Sequence, residues 1–121
     1  MNTVPIPIEI TLHQQSKVLE LAFDDGMRYR LPFEFLRVFS PSAEVRGHGP
    51  GQEILQTGKR NVILTGLEPV GSYAMKLLFD DGHNTGLYTW GYLHELGQYQ
   101  DGMWHDYLNR LEMAGECREP Q

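Results

Sequence analysis

Apolar and polar residues alternate along 8–13 (IEITLH) and again along 17–23 (KVLELAF). That period of two is the pattern of a half-buried strand. Gln14, Gln15 and Ser16 between them read as a turn. Asp24-Asp25-Gly26 follows, and Asp-Gly is a hairpin signal because a type I′ turn needs positive φ at both central residues. Residues 27–31 (MRYRL) return as the paired strand, and Pro32 suits the first turn of a short helix over 32–39, where its missing N–H is harmless. Phe33, Leu36 and either Val38 or Phe39 face inward on that helix. Residues 40–60 read as loop, with one short strand open at 53–55. A strand over 61–70 carries Gly66, a bulge candidate. A strand over 72–79 runs into Asp80-Asp81-Gly82, and 83–88 return from that turn. Thr89 is placed to cap a helix beginning at Trp90, which Gly97 ends or kinks. A last helix over 100–113 gathers Met103, Tyr107, Leu108 and Leu111 on one face.

Two stretches repeat. LAFDDGMRYRLPFEFL and LLFDDGHNTGLYTWGYL share L-x-F-D-D-G, a return strand and an aromatic-rich helix start, with one residue inserted in the second. A lone hairpin is marginal in water, so each helix is expected to cover its own hairpin. The predicted fold class is α+β. Two hairpin-then-helix repeats form a mixed or antiparallel sheet of about five to seven strands, packed by short helices and followed by a C-terminal helix. Residues 1–114 form a single domain and 115–121 a flexible tail. The paired aspartates could also be read as a catalytic carboxylate pair, but two hairpin turns explain them without chemistry.

The 121 residues fit one domain with a core of its own. Composition is 40% hydrophobic and 21% charged, with no apolar run near the roughly 18 residues of a membrane span. A basic start followed by an apolar stretch is absent from the N-terminus, and the one cysteine, Cys117, excludes an internal disulfide. These features point to the cytoplasm, without a membrane as partner. Net charge is −6, and residues 61–121, with three Lys/Arg against nine Asp/Glu, carry all of it. An acidic half of this kind argues against nucleic acid. Arg28, Arg30, Arg37 and Arg46 leave room for a local anion patch, against the commoner reading of solvated surface arginines.

The runs FDDG-x4-LP-x3-LR, SPSAEVRGHGPG and EPVG-x-YA-x-KL-x-FDDGH-x2-G-x-Y-x-W-x-YL-x-ELG resemble the gamma-butyrobetaine-hydroxylase-like N-terminal domain over residues 8–97. That resemblance implies a small bacterial stand-alone domain of unknown function. It also implies kinship with a domain that precedes the catalytic part of carnitine-synthesis dioxygenases and that is joined elsewhere to P-loop proteins carrying iron–sulfur clusters. In the dioxygenases the domain holds a structural zinc through three cysteines and one histidine. Carried over by position, the cysteines fall on Ser40, Ser42 and Val45 and the histidine on His83. One ligand of four is retained, and closed zinc sites use four, mostly thiolate or imidazole. Zinc in the family's manner is therefore not expected, and a local hydrogen-bonded turn through Ser40 and Ser42 can hold the loop instead.

Other candidate chemistry is thin. His48 and His83, with Glu44 or Asp81, are the candidate ligands of a weak zinc or iron site; a hydrogen-bonded histidine pair is the plainer reading. No His-x-Asp or His-x-Glu start of an iron-oxygenase triad occurs. GHGPGQEILQTGK lacks the spacing and the Ser/Thr of a phosphate loop. Cys117 stands between acidic neighbours, which disfavour a thiolate, and no nucleophile–base pair is legible. The expected function is a non-enzymatic accessory or protein-interaction domain linked to iron–sulfur or oxygenase systems, with no cofactor. Arg37, Arg46, His48 and Trp90 are its candidate partner-binding residues; the alternative is a metal-binding module on His83.

Overall fold

The computed structural model describes residues 4–47 and 49–120. Its elements are β1 (Pro7–His13), β2 (Val18–Phe23), β3 (Arg28–Pro32), α1 (Phe33–Val38), α2 (Ala43–Arg46), β4 (Leu64–Val70), β5 (Ala74–Phe79), β6 (Leu87–Thr89), α3 (Trp90–Gln98) and α4 (Gln100–Ala114). The α+β class holds, but the expected single sheet does not. The strands form two three-stranded antiparallel sheets, β1-β2-β3 and β4-β5-β6. Alternation specifies each hairpin locally and says nothing about whether the two units share hydrogen bonds. They share a core instead: Leu19, Leu21 and Leu31 of the first sheet pack in one cluster with Leu64, Leu77 and Tyr88 of the second and with Leu36 and Leu93 of the helices. The short strand at 53–55 is not formed.

The repeat extends to details. In both copies the first strand is bulged opposite the phenylalanine that precedes Asp-Asp-Gly, between Pro7 and Glu9 against Phe23 and between Leu64 and Gly66 against Phe79. The extra residue lets Leu64 and Leu67, three apart, meet Phe79 and Leu77. Neither turn is type I′. Gly26 and Gly82, both at φ +87°, are the left-handed residues, and each donates its N–H to the phenylalanine carbonyl three residues back. This matches the three-residue hairpin loop that ends in a left-handed glycine. The first aspartate of each turn accepts from the incoming strand, Asp24 from the Ile6 N–H and Asp80 from the Ile63 N–H. The second accepts from the residue two on, Asp25 from Met27 and Asp81 from His83. All four carboxylates therefore have turn duties, and the catalytic-pair reading gains no support.

The second aspartates also tie the copies together. Asp81 pairs with Arg37 of α1, and Asp25 pairs with His94 of α3. Arg37 and His94 stand at equivalent places in the repeat, each following the helix leucine, Leu36 or Leu93. Each hairpin turn thus grips the other copy's helix, a reciprocal pair of contacts.

Every residue of α1 is buried. Its C-terminal carbonyls, which no helical N–H can reach, are taken by tyrosine hydroxyls: Tyr88 donates to the Leu36 carbonyl at 2.6 Å and Tyr92 to that of Phe39 at 2.6 Å. Thr89 caps α3 as expected, accepting the Tyr92 N–H. Gly97 does not end that helix. It lies within α3 where a Cβ would collide with the Tyr29 ring, so the glycine lets the helix close on the first sheet. The segment read as a flexible tail lies along 58–60. Gly58 and Arg60 donate to the carbonyls of Cys117 and Arg118, and the Arg118 guanidinium binds buried Glu34 in bidentate fashion at 2.8 and 2.6 Å. Among the described residues no helix is long and apolar enough to cross a membrane.

Candidate functional site

The loop after α1 returns over the second hairpin and places Ser40, Ser42 and His83 together, all three buried. His83 Nε2 lies 2.8 Å from Ser40 Oγ and 3.4 Å from Ser42 Oγ, and its Nδ1 lies 3.3 Å from Glu44 Oε2. Burial holds the imidazole below its ordinary pKa, with the nearby Arg37 guanidinium adding to that; Glu44 and Asp81 oppose it. In the neutral ring the network assigns the proton to Nδ1, facing Glu44, and leaves Nε2 to accept the Ser40 hydroxyl. Ser40 Oγ in turn accepts the Ser42 N–H at 3.3 Å. Gly86 presses on this cluster, since a Cβ there would stand 2.5 Å from Ser40 Oγ. The result is a hydrogen-bonded clasp between loop and hairpin.

Ser40, His83 and Glu44 follow one another in the order of a hydrolytic triad. The serine, however, is only 1% exposed, and its oxygen is enclosed by Ser42, His83 and Gly86. A nucleophile needs its oxygen free to meet a substrate carbonyl, whereas the Ser40 hydroxyl is engaged by the His83 ring and the Ser42 N–H.

Zinc does not fit the donor set either. The ring lone pair is engaged by Ser40, hydroxyls keep their protons at neutral pH, and Val45 has no donor atom; it is buried beside the cluster instead. Among the described residues, no buried side-chain nitrogen or oxygen is left without a partner, and no three His, Cys, Asp or Glu side chains converge. His48, the second expected ligand and a candidate partner contact, lies outside the described residues.

Of the expected partner-binding residues, Arg37 is misassigned as a surface group. Its side chain is 8% exposed, donates to Asp81 at 2.9 Å and to Gln56 at 3.0 Å, and anchors structure. Lys59 reaches the same Asp81 oxygen at 2.6 Å. Partial burial opposes the Asp81 charge, yet the hydrogen bonds from Lys59, the His83 N–H and Arg37 outweigh it and lower its pKa to about 2. Trp90 is half-buried, packs on the core and donates its indole N–H to the Ser72 carbonyl at 2.8 Å.

Arg46 stands differently. It is exposed, lies over the Tyr92 ring at 4.8 Å, and lines a cavity of about 590 Å³ between the 40–56 loop and the C-terminal helices. Val38, Val45, Ile54, Leu55 and Tyr107 supply apolar wall, and Arg110 of α4 the second guanidinium. Ser40 is shared, so the clasp forms part of the cavity's floor. The sequence reading overlooked Arg110 and Ile54. α4 was read for its apolar face alone, and no local pattern brings residue 110 to the loop.

Fold and clasp together define a small α+β scaffold domain with a walled cavity. The chain matches the family model described as Gamma-butyrobetaine hydroxylase-like, N-terminal, over residues 10–94, and it belongs to that family. Two solution NMR structures are similar throughout. One is 54% identical with a TM-score of 0.85, covering 98% of this chain and 94% of its own; the other is 46% identical with a TM-score of 0.83, covering 99% and 92%. A crystal structure from Acidithiobacillus ferrooxidans ATCC 23270 is 44% identical with a TM-score of 0.64, covering 75% of this chain and 91% of that one. It is described as a protein with unknown function of the DUF971 family. No curated protein matches the chain.

Proposed function

We propose that this chain is a non-catalytic binding domain that engages a protein partner through the cavity face formed by residues 40–56 and α4. The observation that carries this reading is how the molecule uses its polar groups. Ser40, His83, Arg37 and Asp81 are consumed in holding the loop, while the cavity beside them stays open, with apolar wall from Val38, Val45 and Leu55, the guanidiniums of Arg46 and Arg110, and Ile54 55% exposed. Pockets of a few hundred Å³ with apolar walls and few polar groups are the usual form of a binding site. The family resemblance supports an iron–sulfur or oxygenase system as the setting, and the single cysteine supports the cytoplasm. The alternative, a metal module on His83, is disfavoured because the Ser40 hydroxyl already engages the ring nitrogen.

Affinity capture from the native host tests the reading with three variants. Ile54→Asp and Arg46→Glu change the cavity face, and Met113→Ser changes an exposed residue of α4 that does not line the cavity. A reproducible partner that is lost with the first two and kept with the third is expected. A partner that all three retain contradicts it.

A further inference from the structure

The arginines fall into two groups. Arg28 pairs with Glu9 and Glu20, Arg30 with Glu20, Arg37 with Asp81, Arg60 with Glu119 and Arg118 with Glu34. Arg46 and Arg110 have no carboxylate partner among the described residues, and both line the same cavity. Among the seven arginines these two are set apart by lacking an ion pair and by sharing one cavity. Asp106 precedes Arg110 by one helical turn, the spacing of a helical ion pair, yet no pair forms. Glu53 also lines the cavity; backbone N–H groups at Glu53 and Gly51 lower its pKa first and the Arg110 charge adds to that, so one wall carboxylate lies within electrostatic reach of Arg110 without forming an ion pair with it.

The rest of the wall has little polar demand. Tyr107 donates to the Gln56 carbonyl at 2.7 Å and Tyr92 to that of Phe39, so their rings face the cavity with the hydroxyls satisfied. Arg46 lies over the Tyr92 ring in a cation–π contact, which holds the guanidinium at the cavity without neutralising it. Gly49, Pro50 and Ile54 also line the cavity, and Ile54 is exposed.

Resting on the binding-domain reading above, we propose that the cavity takes an acidic–apolar peptide segment of the partner protein. Asp or Glu side chains engage Arg46 and Arg110, and an adjoining Leu, Ile or Phe sits on the wall made by Val38, Val45 and Leu55. Charge-assisted bonds from guanidinium to carboxylate supply orientation, and burial of the apolar residue supplies affinity.

The probe is a random heptapeptide display library panned on the immobilised full chain, once as wild type and once as the Arg46→Gln/Arg110→Gln double variant. Neither arginine has a carboxylate ion-pair partner among the described residues, so the double variant is expected to stay folded, which its melting curve beside the wild type checks. Enriched sequences should join Asp or Glu to a large apolar residue, and a synthetic copy of one should bind the double variant at least tenfold more weakly. In ¹⁵N spectra it should shift Val45, Gly47, Ile54 and the Arg46 and Arg110 side-chain N–H signals. Absence of enrichment, enrichment of basic or uncharged sequences, or equal binding by the double variant would overturn the proposal. So would octanoate binding the same residues as tightly as the peptide, which would make the site one for a small amphiphile. A partner captured through Ile54 but indifferent to both arginines would sink this inference and leave the binding-domain reading standing.

Discussion

Ser40 and His83 stand where the family resemblance puts a thiolate and an imidazole, and the difference between sulfur and oxygen decides what the pair does. A thiolate is an anion that closes on zinc, whereas a hydroxyl keeps its proton and donates it to the ring nitrogen 2.8 Å away. In that arrangement the folded chain favours the neutral imidazole. Burial, followed by Arg37, lowers the His83 pKa in the folded chain, while Glu44 and Asp81 pull the other way. An unfolded chain takes up that proton at about the ordinary histidine value of 6.5. Stability from this group is therefore complete above that pH and is lost as pH falls through the lowered folded value. Asp81 behaves alike at lower pH. Its folded pKa of about 2 means its contribution is present above the ordinary aspartate value and disappears toward pH 2. Between pH 7 and pH 5, then, the melting temperature of the wild type should fall more than that of His83→Asn, the variant removing the background of the other histidines. Parallel curves would show that His83 is not held neutral by the fold.

Between elements, the reciprocal grip of the two hairpins sets up a comparison of equivalent positions with unequal burial. Asp81 holds an almost fully buried guanidinium, whereas Asp25 holds His94 near the surface. Removing one member of a buried pair strands the other charge, at a cost of about 3 kcal/mol, whereas losing a solvent-screened carboxylate costs less. Urea unfolding of Asp81→Asn and Asp25→Asn should show this asymmetry; equal losses would mean that Arg37 finds another partner. Much at this scale was legible in the sequence. Alternation gave β1 and β2, the Asp-Asp-Gly signals gave both hairpins, Gly66 the bulge and Thr89 the cap. Helix α2, four residues long, is too short to show a period. The role of Gly97 and the docking of Arg118 on Glu34, 84 residues away, depend on tertiary approach that no local pattern records. At the site, Ser40, Ser42 and His83 were legible through the family's motif. Arg37 was misread because charge suggested surface, and Arg110 was overlooked because its importance lies in lacking a partner.

For the whole molecule, one core joins two sheets that share no strand pairing, and the loop between the repeats is closed onto that core by hydrogen bonds and one buried ion-pair cluster. The same loop lines the cavity, and Ser40 belongs to both clasp and cavity wall, so holding the loop also shapes the cavity. The central claim is that the clasp holds without a metal. A ligand that binds only the folded chain raises its apparent stability, so the direct measurement is thermal unfolding of the purified chain in excess EDTA and again with equimolar Zn²⁺. The account predicts superimposable curves and no zinc retained on gel filtration. A melting temperature lowered by EDTA or raised by zinc, with one ion retained per chain, would contradict it.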